Sequence, residues 1–212
     1  MDLKELSGYV IEGNAKGAGE FTQKAIDEGI DPLTIVNEGL IPGMDVVGVK
    51  FKSFEYYLPE VLVSARAMKT AMALVTPLLA DRRESAAGRV VIGTVKGDLH
   101  DIGKNLVGMM MEGAGFEVTD LGTDVEPEAF VKAAEDNNAN VVCLSALLTT
   151  TMSMMKNTIE LFNESELRQQ VKIMIGGAPI TENYADNIGA DGYAPEAASA
   201  VEKAKELIGT KG

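Results

Sequence analysis

Apolar residues recur at helical spacing through residues 1–80. Leu3, Leu6, Val10 and Ile11 mark one amphipathic face, and Phe21, Ala25 and Ile26 mark a second, with Asn14 and Gly17 between them. Asp31-Pro32 is a helix start, a capping carboxylate followed by proline at the first helical position. The third helix carries Leu33, Ile35, Val36 and Leu40, then Met44, Val46 and Val47 past a perturbation at Pro42-Gly43. A fourth begins near Leu58-Pro59-Glu60 and runs to about Leu79. No strand pattern interrupts this block, which predicts a four-helix bundle.

Beyond Gly88 the pattern alternates. Strands are expected at Val90–Val95, Glu117–Leu121, Val141–Ser145 and Lys172–Ile175, with a short one near Gly192-Tyr193. Helical patterns fill the gaps at about 102–114, 127–137, 152–163 and 181–188, and a last one covers about 195–208. Repeated βα units of this length predict a doubly wound, five-stranded parallel sheet of flavodoxin-like or Rossmann-like type; if its order is 2-1-3-4-5, strands 1, 3 and 4 are neighbours. The fold class is therefore α/β plus all-α. The boundary is placed in the charged, then small stretch at about 80–88, which gives a helical domain of 1–88 including this linker and a sheet domain of 89–212.

Composition narrows the function classes. Hydrophobic residues make up 46% of the 212 residues, enough for a real core. The formal charge of −13 argues against nucleic acid and anionic membrane surfaces, which are bound largely through Lys and Arg. One cysteine, Cys143, allows no internal disulfide and fits a reducing compartment. The start, Met-Asp-Leu-Lys-Glu, lacks a signal-peptide pattern, and no apolar run approaches the ~20 residues of a membrane span. A cytoplasmic protein is expected.

In the predicted sheet all strand-to-helix loops leave one edge, and three of them carry unusual chemistry. The first, Lys-Gly-Asp-Leu-His-Asp-Ile-Gly, holds the single histidine, His100, two residues after Asp98. The second runs from Ser145 to Thr151, with hydroxyls on Ser145, Thr149, Thr150 and Thr151. The third is Gly176-Gly177-Ala178-Pro179, whose glycines leave backbone room for a bulky ligand. With strands 1, 3 and 4 adjacent, the loops surround the crevice at the topological switch point. His100 offers one nitrogen ligand, and Asp98 can hold the other ring nitrogen. There is no Gly-x-Gly-x-x-Gly after the first strand and no P-loop pattern, which disfavours dinucleotides and nucleoside triphosphates.

Asp98-x-His100-x-x-Gly103, then Ser145-x-Leu147, then Gly176-Gly177, resembles the cobalamin-binding signature of methionine synthase, of base-off mutases and of the corrinoid proteins of methyltransferase systems. Gly43-Met44-Asp45-Val46-Val47-Gly48, Phe51 and Tyr57-Leu58-Pro59-Glu60-Val61 are similar to the cap domain of methionine synthase. The resemblance spans nearly the whole chain, which is similar to two-domain carriers of the methanol, methylamine or aryl-ether (O-demethylase) type. It implies cobalamin or a related corrinoid as cofactor, with His100 replacing the cofactor's own base as lower ligand of cobalt. It implies that Asp98 bonds the distal nitrogen of His100 and that Thr151 stands where methionine synthase has a serine bonded to that aspartate. Leu99, Asp101, Ile102 and Gly103 belong to the same loop of the signature. Ser145, Leu147 and Thr149 are implied to contact the corrin or its tail, which runs toward Gly176 and Gly177. Phe51, Leu58 and Val61 match residues that cover the reactive face, and a hinge near Ala80–Gly88 would let that cap move.

The function so implied is a methyl carrier without catalytic residues of its own. Its partners would be a substrate:corrinoid methyltransferase, a second methyltransferase acting on tetrahydrofolate or coenzyme M, and a reductive activase. The alternative is a cobalamin-responsive sensor; a radical mutase subunit fits less well, because the cap-like block argues against it. The same residues also admit simpler roles. Asp98, His100 and Asp101 could bind zinc or magnesium, but zinc usually takes three or four close ligands and no second histidine exists. Asp98 and Thr149–Thr151 could cap helices, Gly176-Gly177 could be a tight turn, and Phe51, Leu58 and Val61 could be bundle core. Met109–Met111 and Met152, Met154 and Met155 read as packing, and Cys143 as a buried, inert thiol.

Overall fold

The computed structural model describes residues 1–79 and 87–209. Its first unit is Met1–Ala86 with Gly113–Gly115, and its second is Ala87–Glu112 with Phe116–Gly212. The linker expected at about 80–88 falls, from 80 to 86, outside the described residues.

In the first unit each helix start has a local cause. α1 (Leu3–Ile11) opens on Asp2, whose carboxylate accepts the Lys4 N–H at 3.0 Å. α2 (Ala15–Asp27) opens on Asn14, which accepts the Gly17 N–H at 2.9 Å. Asp31 caps the next rod by accepting from Leu33 and Thr34, at 3.1 and 3.4 Å, with Pro32 at its first position. That rod is α3 (Pro32–Thr34), a π-helical stretch Ile35–Leu40 and α4 (Ile41–Lys52). The perturbation expected at Pro42 takes the form of this wide turn. A proline ring clashes with the carbonyl four residues back, and widening the turn relieves it. The Ile41 N–H accordingly donates to the Val36 carbonyl, five residues back.

α5 (Leu58–Leu79) is the longest helix described. The Tyr57 N–H donates to the Glu60 carboxylate at 2.9 Å, one half of a capping box. Its stretch Leu58–Leu78 has a mean hydropathy of 1.3, long and apolar enough to cross a membrane by length and composition alone. This corrects the expectation that no stretch reaches that length; Ser64, Arg66, Lys69 and Thr70 interrupt the apolar run while its average stays high. Val61, Ser64, Ala67, Met68, Ala71 and Val75 are buried at helical spacing, the stripe of a bundle-core helix. Leu6 and Val10, Phe21 and Ala25, and Ile35, Leu40 and Val47 supply the facing core.

The second unit contains β1 (Gly88–Thr94), α6 (Ile102–Gly113), β2 (Phe116–Asp120), α7 (Pro127–Asp136), β3 (Val141–Ser145), α8 (Met152–Asn163), β4 (Lys172–Gly176), α9 (Glu182–Ile188), β5 (Gly192–Tyr193) and α10 (Ala197–Leu207). The strands are all parallel and lie in the order β2-β1-β3-β4-β5, the expected doubly wound arrangement. Both faces are covered. Val91, Val142, Leu144, Ile173 and Ile175 join a core with Phe130, Met155, Ile159 and Phe162. The alternate residues Val90, Ile92, Val141, Cys143 and Met174 are buried as well. Register then sets the functional edge: Thr94 pairs with Ser145, and Ser145 with Gly176, so the loops after β1, β3 and β4 leave from one line.

Cys143 is a free, buried thiol, and burial pushes its pKa from 9.0 up to about 12. A raised thiol pKa favours the neutral folded form, so this contribution to stability is complete below about pH 9 and is lost toward about 12. The native chain is therefore expected to resist a thiol reagent at about pH 8 and to react fully once denatured, as read by absorbance of the released chromophore.

Candidate functional site

The site grows from the turn that follows β1. The Asp98 N–H donates to the Val95 carbonyl at 3.1 Å, and Gly97 sits at φ +81°, a conformation that glycine adopts without cost. This turn carries the Asp98 side chain into a fully buried position. Five donors converge on its carboxylate. Oδ1 accepts the His100 ring Nδ1 at 2.7 Å and the His100 backbone N–H at 3.1 Å. Oδ2 accepts the backbone N–H groups of Leu147 and Leu148, at 2.8 and 3.1 Å, and the Thr151 hydroxyl at 2.8 Å.

Burial alone would raise the Asp98 pKa. The hydrogen bonds from the His100 ring, the Leu147 amide, the Thr151 hydroxyl and the His100 amide outweigh it and hold the carboxyl well below the usual range. An ionised carboxylate only accepts, so a neutral imidazole here carries its proton on Nδ1 and leaves the Nε2 lone pair free. The Thr94 hydroxyl donates to the His100 carbonyl at 2.8 Å and fixes the backbone beneath the ring. The His100 side chain is 50% exposed, so one nitrogen is anchored in a partly open ring.

The loops around this ring are apolar where loops are usually polar. Leu99 and Ile102 are each 72% exposed, Leu147 43% and Leu148 40%. Large side chains held in water beside a lone nitrogen donor make a platform for a broad, partly apolar ligand. Asp101 is exposed on the same loop and Gly103 in the first turn of α6, Thr149 and Thr150 are exposed on the β3 loop, and Ser145 is half-buried at the strand end. Gly176 follows Ser145 in register, and its carbonyl accepts the Ala146 N–H at 3.2 Å. Gly177, at φ +136°, has another reason for being glycine than the one expected. A Cβ there would lie 1.8 Å from the Ala146 carbonyl oxygen, so that space is taken by the protein's own backbone.

The residues singled out from 98 to 177 thus share one edge of the sheet. Phe51, Leu58 and Val61 lie in the first unit: Leu58 is exposed, Phe51 part-buried and Val61 fully enclosed. Sequence reasoning missed the Leu148 amide, a backbone group with no side-chain signal. It also missed Lys104, whose buried ammonium bonds Asp120 at 2.5 Å and Asn105 at 2.7 Å. Asn105 in turn donates to Asp101 at 3.1 Å, which ties the start of α6 to the end of β2.

A B12 binding domain family matches residues 88–202, and a second B12 binding domain family matches 2–76. The chain belongs to the B12-binding corrinoid proteins. It is similar to dimethylamine corrinoid protein 1 of Methanosarcina acetivorans, 45% identical over 207 residues that cover 97% of each chain. Among solved structures, this corrinoid protein is similar to a cobalamin-binding protein from Desulfitobacterium hafniense, with TM-score 0.81, 31% identity and 98% of each chain covered. It is also similar to the methanol:cobalamin methyltransferase complex of Methanosarcina barkeri, with TM-score 0.84, 28% identity, and 99% of this chain and 80% of that one covered. Family membership makes it a methyl-transfer corrinoid protein of one-carbon metabolism.

Removing the Thr151 hydroxyl leaves a buried carboxylate oxygen one donor short. Thr151→Val is expected to cost about 1–3 kcal/mol in urea unfolding followed by circular dichroism, and Thr151→Ser less than about 1 kcal/mol.

Proposed function

We propose that this chain carries a methyl group on a corrinoid held with its own base displaced and His100 as the lower ligand of cobalt. The observation that supports this most is the free Nε2 of a ring whose Nδ1 is anchored on the five-donor Asp98 carboxylate. The donor set fits such a cofactor: one neutral imidazole nitrogen set among exposed Leu99, Ile102, Leu147 and Leu148. Among the described residues, no cluster of three or more His, Cys, Asp or Glu groups could hold a metal ion. A metal held by protein side chains alone is therefore not what the site favours.

Cobalt, when bound, supplies the atom that takes up and gives up the methyl group. The chain's own residues set how it is held. Asp98 fixes the tautomer and the orientation of the imidazole. Thr151 and the Leu147 and Leu148 amides keep Asp98 anionic, so the ring proton stays on Nδ1. The exposed apolar side chains shed water beneath a macrocycle. Ser145, Thr149 and Gly176 in this reading meet its polar periphery or tail. In this reading the helical unit is a cap, and Phe51 and Leu58, which keep exposed surface, are its covering residues. Val61 serves in its core.

The partners in this reading are a methyltransferase that loads the carrier from a methylated substrate and a second that unloads it to tetrahydrofolate or coenzyme M, with an activase that restores reduced cobalt. The dimethylamine relative and the likeness to the methanol complex support a small methylated substrate.

Reconstitution with hydroxocobalamin and reduction to cobalt(II) tests the ligand. The electron paramagnetic resonance spectrum is expected to show splitting from one histidine nitrogen that disappears in His100→Ala. Asp98→Asn is expected to weaken cofactor retention by about 10–100-fold, the usual cost of losing a partner behind a metal-bound histidine. A spectrum in which the cofactor's own base still binds cobalt would overturn the assignment.

A further inference from the structure

Asp124 stands in the loop between β2 and α7 at φ +55°, one of three non-glycine residues with positive φ among those described. Aspartate tolerates this conformation at a cost of about 1–2 kcal/mol, and such a residue persists only where its surroundings fix it. Here the surroundings are the turn that carries Asp98. The Asp124 Oδ1 accepts the Gly97 N–H at 2.8 Å, and the Asp124 N–H donates to the Asp98 carbonyl at 3.0 Å. These two contacts grip the backbone on both sides of the Asp98 Cα. On either side the same loops are zipped together: Thr94 N–H to Gly122 carbonyl at 2.9 Å, Val125 N–H to Thr94 carbonyl at 3.0 Å, and a parallel bridge between Val95 and Val125. Lys96 adds ion pairs to Asp124 at 3.4 Å and to Glu126 at 2.8 Å.

Asp124 meets neither the imidazole nor the Asp98 carboxylate among these contacts. It acts on the one backbone segment that decides where that carboxylate points. Gly97 is the most permissive residue of the turn, and its amide has this side chain as acceptor. Without the grip, the carboxylate can leave the line that presents Oδ1 to the His100 ring. We propose that Asp124 is a positioning residue for the His100 imidazole, working through the Gly97–Asp98 backbone to hold the ring in its Nδ1–H form. The inference rests on the reading of His100 as the cobalt ligand and deepens it, because only the Nδ1–H form leaves Nε2 free.

The test exploits His100 being the single histidine of the chain. Long-range proton–nitrogen spectra of the full chain without corrinoid, at a pH where the ring is neutral, report its tautomer directly. The unsubstituted chain is expected to show the Nδ1–H form. Asp124→Gly keeps the backbone donor and removes the strain and the side-chain acceptor. Its ratio of Nδ1–H to Nε2–H is expected to fall about fivefold, the factor carried by one lost hydrogen bond. Asp124→Asn keeps an acceptor for Gly97 and is expected to restore the ratio. Should the glycine variant fail to melt cooperatively, Asp124→Ser, whose side chain is one atom too short, takes its place. An unchanged ratio in the glycine or serine variant overturns the proposal, as does an asparagine variant that behaves like them. Adding hydroxocobalamin separates the two readings: a chain that passes the tautomer test but binds no corrinoid overturns the functional assignment alone.

Discussion

A buried carboxylate with no water must be surrounded by donors or lose its charge. Asp98 meets that demand by drawing on separate parts of the chain. Its own loop supplies the His100 ring and amide, and the β3 loop supplies two amides and a hydroxyl. The charge therefore binds two strand ends together at the place where the sheet changes direction. Its two oxygens divide the work: Oδ1 serves the ring and Oδ2 serves the neighbouring loop. Strand register makes this possible, because Thr94 and Ser145 are paired at the edge from which both loops depart.

The sheet was legible in the sequence because βα alternation leaves few topologies once right-handed crossovers are required. Strand positions followed from short apolar runs such as Val141–Ser145 between helical patterns. At the site, Asp98 and His100 were legible as side chains at fixed spacing. What stayed hidden was backbone chemistry. The amides of Leu147 and Leu148 are donors that any residue type could supply, and nothing in Leu-Leu announces them. Gly177 looks in the sequence like room for a ligand, but the close approach of Ala146 fixes it, a contact between segments about thirty residues apart. Asp124 lies in no motif; its role comes from a backbone angle and from the partners folding brings to it.

The helical unit shows the same division. The helix start at Asp31-Pro32 was legible, since capping is local, whereas the caps at Asp2 and Asn14 emerge only from the structure. The effect of Pro42 was visible as a disturbance but not as a π-helical stretch, because the remedy depends on which neighbouring carbonyl yields. Phe54 is a further departure. It sits at φ +60° just past α4, where glycine is usual, and is 78% exposed. Val61 stands out in the sequence by its place in a motif, whereas its enclosure follows from helical phase with Ser64, Met68 and Val75 along α5.

The contact at Gly177 also constrains how such a site can diversify. Main chain rests on main chain between the β3 and β4 loops, with no side chain interposed. The gap between those two strand ends is thus a fixed gauge, indifferent to which amino acids decorate the rim. Adaptation to a different cofactor periphery or partner enzyme must be written in the outward-facing residues, such as Thr149, Thr150 and Ala178, while the spacing beneath them stays constant.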